Sequence, residues 1–186
     1  MKITKVTEDA VATLLDDLLK RSPNNYTGYA DKVQAIIDDV RERGDEALFE
    51  MTKRFDGADL NADNIRVTQA EIDEAYTLVD ASLIEVIRKA MTNIRVYHEK
   101  QRQYGWFDTT SDGTILGQKV TPLQSTGVYV PGGKAAYPSS VLMNVIPAKV
   151  AGVEKIVMVT PPGKDGKVNP GTLVAAHEAG ADEIYK

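Results

Sequence analysis

Apolar residues in the first hundred positions recur at helical spacing. Val11, Leu14, Leu15, Leu18 and Leu19 form one stripe, and Thr7 followed by Glu8 and Asp9 is placed to cap it, so a helix is expected over 6–20. Asn24 and Asn25 break that pattern. Val33, Ile36, Ile37 and Val40 then fall at i, i+3, i+4 and i+7, which predicts a helix over 29–43. Gly44 suits the left-handed residue that closes it, and Asp45 suits the N-cap of a further helix over 46–54. Residues 65–68 (Ile-Arg-Val-Thr) read as a short strand. Thr68 caps a helix over 69–79, with Glu71 three residues on completing a capping box. The longest expected helix covers 82–103, with Ile84, Ile87, Met91, Ile94 and His98 along one face.

The pattern changes near Trp106. Gly105, Gly113 and Gly117 punctuate short segments, and 115–120 and 128–130 have strand character. Residues 141–151 are apolar nearly all round, the signature of a buried helix, with Pro147 set to kink it or start a fresh turn. The run KIVMVT at 155–160 is continuously apolar, as in a parallel strand covered on both faces. A helix over 170–179, stopped by Gly180, leads to another strand from Glu183. Strand, helix, strand, helix, strand is α/β alternation. The expected fold class is therefore α/β: a mainly helical region over 1–124, then a parallel sheet that begins at 125 and runs to 186. A strand that opens at Glu183 and stops at Lys186 predicts a domain left incomplete at its C-terminal end.

Composition narrows the function. The chain has 186 residues and a net charge of −5, with no Lys/Arg cluster, which argues against a nucleic-acid partner. No apolar run reaches the length of a membrane helix, and the start MKITKVTEDA has no signal-peptide layout, so a cytoplasmic protein is expected. Cysteine is absent, and His98 and His177 stand 79 positions apart with no metal-ligand spacing. A thiol nucleophile and a cysteine-type zinc site are excluded, and no zinc site is expected from these residues alone.

The stretch TGVYVPGGKAAYPSS at 126–140 is the main candidate for chemistry. It has neither the GxGxxG dinucleotide fingerprint nor a Walker loop, since Val128 and Ala135 stand where the latter needs Gly and Ser/Thr. What remains is a strand, then Pro131-Gly132-Gly133, with the next helix opening near Ser139, its expected cap. Ligands of open α/β sheets bind at the carboxyl ends of the strands. Glycines there permit positive φ and let a ligand touch bare backbone, and Tyr129 can flank an aromatic ring. A tight turn with no ligand explains the same residues. Thr160-Pro161-Pro162-Gly163 ends the neighbouring strand and is either a rigid rim or a simple stop. Lys134 can meet a phosphate or face water. His98 reads as a packed or interface residue and His177 as a solvated one. No general base or nucleophile triad is visible.

At GVYVPGGKAAYPSSVLMNVIPAKVAGV (127–153) the chain resembles histidinol dehydrogenase. The likeness extends to KIVMVTPPG and AGADEIYK downstream, and to VQAIIDDVRERGDEALFEMTKRFDG, NIRVYHEKQ and GTILGQKVTPL upstream. That family oxidises L-histidinol to L-histidine with two NAD, through an aldehyde. It uses zinc, works as a homodimer, and has Rossmann-like halves in an aldehyde-dehydrogenase-like arrangement. The resemblance implies that Tyr129 contacts NAD and that Pro131, Gly132, Gly133 and Pro161 form a cofactor-facing rim. It implies no catalytic or zinc-binding residue in this chain, because the base, the zinc ligands and most substrate contacts of the longer family members lie further along. The 186 residues alone are then expected to be inactive. The alternative is a non-catalytic fold relative that serves as a binding or dimerisation module.

Overall fold

The computed structural model describes residues 5, 7–11, 27–132 and 136–186. The expected helix over 6–20 lies mostly outside them; of it, 8–11 are helical and the Thr7 hydroxyl accepts the Ala10 amide at 3.2 Å, as a cap should. Gly133 and Lys134 also lie outside the described residues. Two compact units divide between Ala47 and Leu48.

In the first unit, α1 (Thr27–Arg43) matches the expected helix. Its apolar stripe is largely exposed, Val33 by 52% and Ile37 by 39%. Gly44 closes it at φ +60° and donates to the Val40 carbonyl, as the left-handed position requires. The helix α2 (Asp45–Phe55) begins at Asp45 itself, so Asp45 sits in the first turn beside Glu46 instead of capping it, where both carboxylates favour the positive end of the helix dipole.

The second unit carries α3 (Gln69–Leu78) and α4 (Ala81–Glu99). The capping box forms as the sequence dictates: the Glu71 amide donates to the Thr68 hydroxyl, and Glu71 Oε2 accepts the Thr68 amide at 2.8 Å. The cap of α4 is Asp80, which accepts the Ser82 amide at 2.7 Å, and the helix ends four residues before the expected Gln103. There Lys100 and Gln101 bond back to Tyr97 and His98 in three-residue steps that tighten and end it. Residues 65–68 form no strand of their own. They make one antiparallel bridge, Arg66 to Tyr185, and the Val67 amide donates to Ile184, which covers the outer edge of the sheet.

That sheet is parallel, in the order β3 (Ser125–Tyr129), β4 (Lys155–Val159), β5 (Glu183–Tyr185). It follows an antiparallel hairpin of β1 (Trp106–Thr109) and β2 (Ile115–Gln118), of which β1 was not anticipated. The crossover helices are α5 (Pro138–Ala151) and α6 (Pro170–Ala179). Pro147 lies within α5 and neither ends it nor starts a second helix. Ile156, Met158, Val145, Ile146 and Val174 are fully buried, so the all-round apolar character of α5 and α6 reflects burial between the sheet and α3/α4.

A polar cluster ties α3 and α4 to α6. Arg88 grips Glu178 with two bonds of 2.9 and 2.8 Å, and Tyr76 donates its hydroxyl to the same carboxylate at 2.7 Å. Having spent its one proton there, the tyrosine oxygen accepts from His177 Nδ1 at 3.0 Å. His177 is thus exposed, as expected, yet held. The Arg88 bonds keep Glu178 below the ordinary carboxylate range, while burial and then Glu178 push the Tyr76 phenol up to about 12.

Candidate functional site

The three strands end in step. Tyr129 pairs with Val159 and Val159 with Tyr185, and beyond them the Val130 amide donates to Val159 and the Thr160 amide to Tyr185. The residues after Tyr129 and after Val159 therefore leave the sheet side by side at its carboxyl edge, where open α/β folds bind ligands. Tyr129 is 62% exposed there, while the next residue, Val130, is fully buried and anchors the strand end. The sequence-predicted Tyr129, Pro131, Gly132 and Pro161 are thus brought together at one edge.

Gly132 has a sharper reason to be glycine than ligand access. A Cβ at this position would lie 2.6 Å from the Pro161 carbonyl oxygen and 3.2 Å from Pro161 Cδ. The two loops pack backbone to backbone. Gly132 does not take a positive φ, so the left-handed freedom that glycine permits is not used at this position. The next helix is capped by Tyr137, not by Ser139, and Tyr137 makes no side-chain cap bond. Pro138 has no N–H, and the Ser139 amide has no bonding partner among the described residues, so the helix start retains the free donor that suits an anion.

Between the two loops lies a cleft of about 360 Å³, bordered by Gly132, Thr160, Pro161, Asp165, Lys167 and Thr172. Thr160 closes β4 and is 2% exposed; Thr172, also 2% exposed, stands in the first turn of α6 behind its Asn169 cap. Asp165 accepts the Lys167 amide at 3.1 Å, and Lys167 is engaged by Glu74 at 2.8 and 3.0 Å, which raises the lysine pKa. Sequence reasoning did not single out Asp165 or Thr172. The available signal was positional: Asn169-Pro170 announces a helix start, and its first turn must face the strand ends.

A groove of about 390 Å³ opens at the other end of α5, between Pro147, Val150, Pro122 and the end of α4 with His98 and Tyr104. It lies at the amino end of the sheet. His98 is half-buried and bonded to Gln101 at 2.7 Å, a packed histidine as expected. Among the described residues no three His, Asp or Glu side chains come together to hold a metal ion, and no helix is long and apolar enough to cross a membrane.

Comparison with known proteins agrees with this architecture. The family model for histidinol dehydrogenase matches residues 19–186. The histidinol dehydrogenase of Bacillus subtilis is 59% identical over 169 residues, covering 90% of this chain and 39% of the relative. That of Heliobacterium mobile is 55% identical over 171 residues, covering 92% and 40%. The crystal structure of histidinol dehydrogenase from Elizabethkingia anophelis superposes with a TM-score of 0.79 at 37% identity, over 85% of this chain and 36% of that one. The chain spans about two-fifths of the length of the curated relatives it matches. With the family model matching nearly all of its length, the chain belongs to the histidinol dehydrogenase family.

Proposed function

We propose that this chain forms the cofactor-edge portion of an NAD-dependent enzyme that oxidises L-histidinol to L-histidine in two steps within histidine biosynthesis. One observation carries the reading. The family match spans 19–186, and within it the exposed Tyr129 stands at the carboxyl edge of a parallel sheet, beside two loops packed at Gly132 and Pro161. NAD accepts the hydride released in each oxidation. This chain contributes recognition: Tyr129 lies against a ring of the cofactor, and Pro131, Gly132, Gly133 and Pro161 form the rim. Val130 is buried and Gly132 abuts Pro161, so the two loops are held together there and little order is lost on binding at those residues. The cleft holds one nucleoside portion of the dinucleotide and not the whole.

In this reading the protein is cytoplasmic and homodimeric. Its catalytic base and zinc ligands belong to sequence other than these 186 residues, so the chain alone turns over no histidinol. In this reading the chain divides into a mainly helical region over 1–124 and the sheet from 125 onward, with α3 and α4 packed on the crossover helices.

Tyr129→Ala in the protein at its natural length tests the assignment. NAD affinity measured by calorimetry should fall about tenfold, the loss of roughly 1.4 kcal/mol of ring contact, with zinc content unchanged. Equal affinity in the variant removes Tyr129 from the site. A natural-length protein that binds neither NAD nor histidinol is instead a non-catalytic binding or dimerisation module.

A further inference from the structure

The cleft at the end of β4 contains two polar groups that the rim does not use. Thr160 and Thr172 are each 2% exposed, and the hydroxyl of neither makes a hydrogen bond among the described residues. The Thr172 bonds are made by its backbone amide, to the Asn169 side chain at 3.3 Å and to the Asn169 carbonyl at 3.0 Å. Yet among the described residues no side-chain oxygen is both sealed from solvent and unpaired. The small surface that each threonine retains therefore includes its hydroxyl oxygen, and both residues border the same cleft. An unpaired hydroxyl in an almost fully buried side chain that borders a cleft is a group prepared for a ligand or for water that a ligand displaces.

The surrounding charge selects the ligand. Lys167, the one cation among the described residues of the cleft wall, is already neutralised by Glu74. Asp165 adds a carboxylate with no cation bonded to it. Such a cleft disfavours phosphate and favours uncharged hydroxyls that can both donate and accept. In doubly wound folds the strand next to the phosphate-binding turn ends at the ribose, whose hydroxyls an acidic side chain there commonly accepts. Here the end of that strand is Thr160, with Asp165 five residues on. We propose that Thr160 and Thr172 are specificity residues that hydrogen-bond the ribose hydroxyls of the adenosine half of a dinucleotide, with Asp165 excluding a phosphate at that sugar. This rests on the cofactor reading above and adds to it the sugar, its orientation, and the rejection of 2′-phosphorylated cofactors.

The test uses the natural-length protein and three probes: NAD, ADP and 2′-deoxy-ADP. The variants are Thr160→Val and Thr172→Val, which keep the shape and remove the hydroxyl, with Thr160→Ser and Thr172→Ser restoring it. In the unsubstituted protein ADP should bind about five- to tenfold tighter than 2′-deoxy-ADP, the worth of one neutral hydrogen bond. At least one valine variant should lose that preference, binding ADP as weakly as the deoxy compound, and the matching serine variant should regain it. Because each hydroxyl lacks a protein partner, the valine variants should melt no lower than the unsubstituted protein without ligand. The ratio of two probes on one variant is insensitive to a general loss of fold.

If both valine variants keep the preference for ADP while Tyr129→Ala weakens NAD, the threonine assignment falls and the cofactor edge stands. If the unsubstituted protein binds neither NAD nor ADP, the cofactor reading falls and this proposal with it.

Discussion

The hairpin β1–β2 and the sheet β3–β4–β5 stand in the same unit and share few physical features. All eight residues of β1 and β2 are exposed, Phe107 by 80% and Ile115 by 67%. In β4, by contrast, Ile156 and Met158 are fully buried, and beneath them lie Val141, Val145, Ile146 and Val174. The hairpin is fixed locally. Thr110 exchanges backbone bonds with Gly113 and Thr114, and Asp112, bonded to the Thr110 hydroxyl and the Thr114 amide, is drawn down to about 2. Gly117 admits no Cβ, which would lie 2.7 Å from Phe107 Cβ. The sheet is fixed globally, by crossover helices that bury both their own faces and the strands. A site that needs precise placement belongs on the second kind of structure, and the cleft is found there.

The most severe way to break this contrast is to remove apolar volume from each region. Ile156→Ala should destabilise the fold by about 2–5 kcal/mol, because a fully buried branched side chain leaves a cavity the packed neighbours cannot close. Phe107→Ala, at 80% exposure, should cost no more than about 0.5 kcal/mol. Urea unfolding of both variants gives the two numbers directly. Comparable losses would show that the hairpin shares a core with the sheet.

The same contrast explains what the sequence revealed. The helices α5 and α6 announced themselves as apolar segments bounded by Pro and Gly. β4 was legible as a strand but misjudged as covered on both faces: Ile156 and Met158 are fully buried while Val159 on the other face is 42% exposed, because the crossover helices cover one side of the sheet. The capping box at Thr68 and Glu71 was legible because it is local chemistry. β1 was not: Trp106 and Phe107 point to opposite faces, so no alternation marks the strand, and its pairing with Ile115–Gln118 is a matter of register. Nor were residues 65–68, whose single bridge depends on Tyr185 more than a hundred positions away. Tyr129, Pro131, Gly132 and Pro161 could be placed at one sheet edge because strand ends can be counted. Thr172 was not, because it reaches the cleft only through the crossover geometry of α6. The packing of Gly132 against Pro161 was not legible for a related reason: its neighbour is a carbonyl from another loop, invisible in the local sequence.

Gly132→Ala sharpens the comparison one step further, since it tests rigidity at the site itself. The methyl would sit 2.6 Å from the Pro161 carbonyl, and that neighbour is backbone, which cannot swing aside. The two loops must separate. A loss of about 1–3 kcal/mol in thermal or chemical unfolding is expected, together with weakened NAD binding even though no cofactor contact is deleted. An alanine variant as stable as the parent would mean that the loops part freely and that the rim is not preorganised.

The smallest expected effect tests the polar tie between α3, α4 and α6, on the side of the fold that the hairpin lacks. Tyr76 donates to Glu178, and both burial and that carboxylate oppose its ionisation, raising its pKa to about 12 from an ordinary value near 10. A pKa that is higher in the folded state means that folding favours the protonated phenol. Its contribution is complete below pH 10 and is lost as pH climbs through 12. Tyr76→Phe keeps the ring and removes the hydroxyl, so at pH 8 it should cost about 1 kcal/mol. The difference in melting temperature between parent and variant should then shrink steadily between pH 10 and 12, as the parent loses a proton that the variant never had. The acid limb provides the control. Glu178 is held below the ordinary carboxylate range chiefly by Arg88, so its own contribution persists above the unfolded value near 4.5 and fades only as pH falls through its folded value, with or without the Tyr76 hydroxyl. A melting difference that stays flat to pH 12 would place the phenol in water and dissolve the tie between α3 and α6 at that point, leaving Arg88 alone to hold Glu178.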